Sequence, residues 1–138
     1  MEENMISEKT MLLAVEKYGL TRRDNIIYGT NIPKVKFVLP TPTGAHVKFT
    51  ESQFFFFIFD EKGIRIITTN LKFDYFFSWK YIEKIKITKI LIASKLSFTY
   101  QGNKFSFQLN RFVVGNSWIS TNTNFLDDND YYKPLTLK

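Results

Sequence analysis

SQFFFFIFDEKG, Ser52 to Gly63, runs four phenylalanines, an isoleucine and a fifth phenylalanine together before a polar turn. Six apolar residues are too few to cross a bilayer as helix or as strand. Left exposed as a strand, they would form a sticky edge that templates aggregation. In a folded sheet, Phe54, Phe56 and Ile58 point one way and Phe55, Phe57 and Phe59 the other. Burying each ring is worth roughly 1.5–3 kcal/mol, so wetting one whole face forfeits about 5 kcal/mol, comparable with the stability of a small domain. Both faces therefore need cover. One faces the core; the other needs the N-terminal helix, the C-terminal helix or a second copy of the chain. Phe55, Phe57 and Phe59 are thus core residues and candidates for an interface.

Outward from this run the pattern is β. Asp60–Gly63 supplies a turn, IRIITTN (64–70) resumes as a strand, FDYFFSW (73–79) is a third run, and YIEKIKITKIL (81–91) alternates Ile85 and Ile87 with Lys84 and Lys86. KLSFTYQGNKFSFQL (95–109) reads as a hairpin. A Gly102-Asn103 turn sets Tyr100 opposite Phe105, Phe98 opposite Phe107 and Leu96 opposite Leu109, all on one face. Before the phenylalanines, IPKVKFVLPTPTGAHVKF (32–49) holds three of the four prolines, so strands there are edge strands or broken ones.

The two ends read as helices. In SEKTMLLAVEKYGL (7–20), Ser7 is placed to cap, Met11, Val15 and Tyr18 fall on one face, and Gly19 sits where a left-handed C-cap belongs. Thr21 and Asp24 have capping-box spacing, which suggests one further helical turn in TRRDNII (21–27). At the other end Gly115-Asn116 breaks the last strand, and Asn116 or Ser117 can cap a helix with Trp118, Phe125 and Leu126 on a common face. Asn, Thr, Ser and Asp fill its middle, so it needs packing to hold it, or is short.

The bulk numbers agree with one folded domain: 138 residues, 44% hydrophobic, 23% charged and 17% aromatic, including 15 Phe. With no cysteine there are no disulfides, thiol nucleophiles or thiolate metal ligands. The opening MEENMISEKT lacks the apolar run of a secretory signal, so a cytoplasmic location is expected.

The order, helix, about seven meandering strands and a closing helix with Trp118, resembles the bacterial pleckstrin-homology-like domains, relatives of the PH and GRAM families. The resemblance rests on FDEKGIRIIT (59–68), on FFSWKYIEKIKI (76–87) and on GNKFSFQL (102–109) followed by the Trp118 helix. It covers about residues 33–130. It implies a mainly β fold with α: a partly open barrel of about seven antiparallel strands in two near-orthogonal sheets, plugged by the C-terminal helix. Residues 1–32 are then an N-terminal helical extension packed on the barrel, and 33–138 the barrel with its helix. A barrel of the oligonucleotide-binding type is the rival fold. The resemblance brings no catalytic residue. Its lipid-binding members use clustered cations in the first loop, and only Lys36 and Lys48 flank VLPTPTGAH (38–46) here.

Little in the chain carries chemistry. His46 is the single histidine, and no phosphate-cradling glycine loop or nucleophile elbow is present. The three carboxylates of DDND (127–130) lack the glycine and downstream glutamate of a calcium loop and read as a solvated helix end. The expectation is no enzyme and no cofactor. The net charge of +6 gathers best at Lys80, Lys84, Lys86, Lys89 and Lys95, against Glu83 alone. That cluster is a candidate anion-binding surface, and equally the lysine protection of an exposed strand. The hairpin places the aromatics among core partners and not among these lysines, which disfavours nucleic acid. The expected function is a non-enzymatic interaction module, self-associating and binding a protein or peptide. The alternative is an anion-binding domain for lipid headgroups or nucleic acid.

Overall fold

The phenylalanine run forms one strand, Phe54–Asp60, on which every residue from Phe55 to Phe59 is buried. The computed structural model describes residues 7–32, 37–40, 46–49 and 53–137, with the two short stretches as backbone alone. Its elements run α1 (Glu8–Lys17), β1 (Ile26–Asn31), β2 (Phe37–Pro40), β3 (His46–Phe49), β4 (Phe54–Asp60), β5 (Gly63–Thr68), β6 (Asp74–Ser78), β7 (Ile82–Ile90), β8 (Ala93–Tyr100), β9 (Asn103–Asn110) and α2 (Ser117–Asp128). Seven strands make one antiparallel sheet in the order β6-β5-β4-β1-β9-β8-β7. β2 and β3 pair only with each other, as befits the proline-rich stretch. Among the described residues the fold is mainly β with two α-helices, and the sheet stays open between β6 and β7.

The sheet curls so that its two halves share a core. Phe77 on β6 lies 5.0 Å, ring to ring, from both Phe98 and Tyr100 on β8. The amide of Ser78 donates to the Tyr100 hydroxyl at 3.3 Å, and Trp79, in the turn joining β6 to β7, donates its ring N–H to the carbonyl of Asp60 at 2.7 Å. Side-chain packing thus draws edge strand β6 against β8, with no ladder between β6 and β7 among the described residues, which is a partly open barrel.

The sheet does not start at residue 33. Ile26–Asn31, within the stretch expected to be a helical extension, is its middle strand, paired with β4 on one side and β9 on the other. Its residues 26–29 are buried, and two-sided burial overrides the weak capping signal of Thr21 and Asp24. Gly29 is required there: a Cβ would collide with the carbonyl oxygen of Gln108 on β9 and approach Phe57 Cε1 to 2.9 Å.

Each face of β4 finds cover within one chain. Phe55, Phe57 and Phe59 enter the barrel core, where Phe57 lies 5.1 Å from Phe107 and Phe59 lies 5.1 Å from Tyr131. Phe54, Phe56 and Ile58 enter a second cluster with Met11 and Ala14 of α1 and Trp118 and Ile119 of α2. Phe55, Phe57 and Phe59, read as core and candidate interface, are buried in the core of one chain.

Ser7 caps α1 through its hydroxyl, which accepts from the amide of Thr10, and Gly19 takes φ +61 at the other end. The helix is pinned to the β5–β6 turn by Lys17 and Tyr18, which both donate to the carbonyl of Leu71. α2 runs its full length despite poor propensity because both of its ends are packed. Trp118 covers the outer face of the sheet, not the barrel end; of the three expected plug residues, Leu126 is buried in the core and Phe125 packs half-buried at its edge. Asn122, in mid-helix, donates to the carbonyls of Arg23 and Ile26 at 2.7 and 2.8 Å, so a residue unhelpful to the helix anchors the entry to β1.

The β8–β9 hairpin turns one residue earlier than expected on its first strand. Gln101 and Gly102 occupy the turn with φ of +51 and +82, Tyr100 faces Asn103, Phe98 faces Phe105 and Leu96 faces Phe107. A type I′ turn needs positive φ at both central residues and favours glycine second, which places the turn at Gln101-Gly102. The register differs by two, an even step, so the apolar face survives.

Candidate functional site

With the aromatics inside, the outer face of β7, β8 and β9 is left to lysines and hydroxyls. β7 has a bulge between Glu83 and Lys86, where Lys84 takes φ +56. The extra residue is needed because Ile82, Ile85 and Ile87 all serve the core, an odd step followed by an even one. Lys84 and Lys86, alternating with the inward Ile85 and Ile87, face outward together. They line an open depression of about 580 Å³ with Ser97, Thr99 and Lys104.

The expected lysine cluster is thereby divided. Lys84 and Lys86 share this depression. Lys89 pairs with Asp127 of α2 at 3.4 Å. Lys95 lines a separate hollow of about 180 Å³ with Ile32 and Ile90, and Lys80 stands over the ring of Tyr81 at 5.5 Å. Lys104, absent from the expected cluster, joins the depression from the β8–β9 turn. The signal that points to it is charge by segment: from Lys84 through Leu126 the chain carries Lys84, Lys86, Lys89, Lys95, Lys104 and Arg111 and no Asp or Glu.

Past Lys89 the β7–β8 hairpin ends in an exposed apolar tip. Ile90, Leu91 and Ile92 are 55%, 97% and 66% exposed, and Phe112 and Val114 of the β9–α2 loop are 51% and 83% exposed. The two segments adjoin, since the amide of Arg111 donates to the carbonyl of Ile92. Leu91 holds φ +54, a conformation that costs a leucine about 1–2 kcal/mol and that glycine or asparagine adopts more easily. Neither stability nor solubility explains a leucine at this turn.

Arg111, Asp127 and Tyr131 brace the tip from behind. The Arg111 guanidinium forms a two-pronged pair with Asp127 and also donates to Ser94 Oγ at 3.1 Å, while Tyr131 donates to Asp127 at 2.7 Å. The solvated helix end expected at DDND is therefore corrected for its first member. Burial raises the Asp127 carboxyl, but the hydrogen bonds from Arg111 and Tyr131 and the charges of Arg111 and Lys89 outweigh it and hold its pKa below the ordinary value. Burial, with the Asp127 hydrogen bond, pushes the Tyr131 phenol well up. Among the described residues no group of three His, Asp or Glu is placed to hold a metal, and His46, whose backbone opens β3, lies outside the described side chains.

Compared with protein-family models, with curated proteins and with solved structures, the chain matches none. The site is therefore described by its own geometry: an exposed apolar tip braced by the Arg111–Asp127–Lys89 cluster, and the lysines Lys84, Lys86 and Lys104 on the outer face of the same strands. No helix among the described residues is long and apolar enough to cross a membrane.

Proposed function

We propose that this chain is a non-enzymatic docking module on a pleckstrin-homology-like scaffold, attaching reversibly to anionic membrane surfaces through the Ile90–Ile92 tip. The scaffold assignment is supported by the strand order, in which β9 returns beside β1 and the Trp118 helix follows. The observation that carries the docking assignment is Leu91, almost wholly exposed in a backbone conformation unfavourable to it. Burying three aliphatic side chains supplies roughly 5 kcal/mol. Each lysine near an anionic leaflet adds about 1 kcal/mol. That is the range of reversible attachment. The exposed side chains stand at the end of a hairpin, which suits insertion into a bilayer interface. Nucleic acid is disfavoured because Phe98, Phe105 and Phe107 are buried and cannot stack on bases. The two-sided phenylalanine strand no longer argues for self-association, since one chain covers it.

Co-sedimentation with phosphatidylcholine vesicles, with and without phosphatidylserine, across a salt series tests the proposal. Binding to the anionic vesicles that weakens with salt and is lost in Leu91→Asp is the expected result. Equal binding to both vesicle types, or none at low salt, overturns it. A tip-dependent dimer in sedimentation equilibrium, without vesicle binding, would return the tip to the self-association reading.

A further inference from the structure

We infer that the depression between Lys84, Lys86 and Lys104 is a binding site for a phosphomonoester group. Lys84, Lys86 and Lys104, with Ser97 and Thr99, line one open hollow on the outer face of β7–β9, to which Ile85 and Phe98 also contribute. A phosphomonoester carries close to two negative charges at neutral pH and three terminal oxygens, matching several cationic donors at once. A phosphodiester offers one charge and two such oxygens. Lys84 and Lys86, two residues apart on β7, share the outer face by strand alternation, and the bulge lets Ile82 as well as Ile85 and Ile87 turn to the core on the other side. Glu83, opposite Thr99 on β7, is the one acidic residue between Lys80 and Leu126, and it does not line the hollow. It tempers the site from the rim. Among the described residues none of the three lysines forms an ion pair, in contrast with Lys89, which Asp127 engages. The lipid-borne form of this ligand rests on the proposed membrane docking; the soluble form does not.

The test is an NMR titration of the whole chain with inorganic phosphate and with glycerol 3-phosphate at fixed ionic strength, with dimethyl phosphate as the diester control. Saturable shifts are expected at the amides of Lys84, Lys86, Ser97, Thr99 and Lys104, with little response to the diester. Lys86→Ala and Lys104→Ala, both at exposed positions, are each expected to weaken binding about fivefold. Glu83→Gln is expected to strengthen it. Vesicles with phosphatidic acid or with phosphatidylglycerol at equal content then separate the sources. A preference for phosphatidic acid that vanishes in the lysine variants assigns the site to a lipid headgroup. No preference, with the soluble shifts intact, assigns it to a soluble phosphorylated molecule. Loss of vesicle attachment in Leu91→Asp with the phosphate shifts retained shows that tip and site act separately. If wild-type protein binds neither vesicle yet shows the shifts, membrane docking fails and the site stands. Absent shifts, or shifts indifferent to Lys86→Ala and Lys104→Ala, overturn the inference.

Discussion

The backbone amide of Arg111 donates to the carbonyl of Ile92 at 2.9 Å, so the β9–α2 loop is tied to the tip of the β7–β8 hairpin. The Arg111 side chain then reaches Asp127 and Ser94, which fixes the same tip to α2 and to β8. The exposed apolar residues thus sit on a braced platform and not on a loose loop.

The tip is where stability and docking should oppose each other. Leu91→Gly relieves the positive φ and is expected to raise unfolding stability by about 1 kcal/mol. The same change removes the most exposed apolar side chain and should lower anionic-vesicle binding. Urea unfolding and co-sedimentation on one preparation measure both; a variant that binds as well as the wild type would separate Leu91 from docking.

The Asp127 brace has a pH signature. Its folded pKa is depressed, so its contribution is complete above the ordinary value of 3.8 and is lost as pH falls through the lower folded value. Asp127→Asn is expected to destabilise by about 2 kcal/mol at pH 7, where the largely buried Arg111 charge loses its partner. The gap between variant and wild type should close in acid. Denaturant midpoints at pH 7 and at successive steps below pH 4 check the sign.

Gly29 is a steric requirement set by two neighbouring strands. Gly29→Ala pushes a Cβ against the Gln108 carbonyl and the Phe57 ring, and an expected loss of about 3 kcal/mol follows from overpacking at a site where backbone must move. Thermal unfolding reads the size. Amide shifts concentrated in β1, β4 and β9 would place the strain; shifts spread evenly would not.

Phe57→Ala distinguishes core from interface. With Phe57 fully buried against Phe55 and Phe107, the cost is expected to be about 3–5 kcal/mol, and the sedimentation coefficient of the folded fraction should be unchanged. A shift in oligomeric state at matched stability would support the interface reading.

Much of the barrel was legible because its signals are local. The unbroken apolar run at residues 54–59, the capping serine of α1 and the apolar face of 96–109 each depend on neighbours in sequence. The turn at Gln101-Gly102 was misplaced because shifting the register by two leaves that apolar face untouched. β1 was missed because IIYGTN has only three large apolar residues before Gly29, too short a run to declare a strand, and its partners β4 and β9 lie far along the chain. Of the candidate site, Lys84 and Lys86 were visible and Lys104 was not, since only strand pairing brings residue 104 to them. The exposed tip and the β7 bulge were not read from the sequence, because exposure at Ile90–Ile92 and the odd step from Ile82 to Ile85 are decided by how β7 pairs with β8.

The amino-acid sequence by itself determined that the rings at 54–59 must be shielded on two sides, since hydration of bulky apolar surface is a property of the residues wherever they lie. Only the tertiary structure decided what shields them, which lysines meet and which leucine stays wet. Those outcomes depend on contacts between strands and helices far apart along the chain, which periodicity cannot encode.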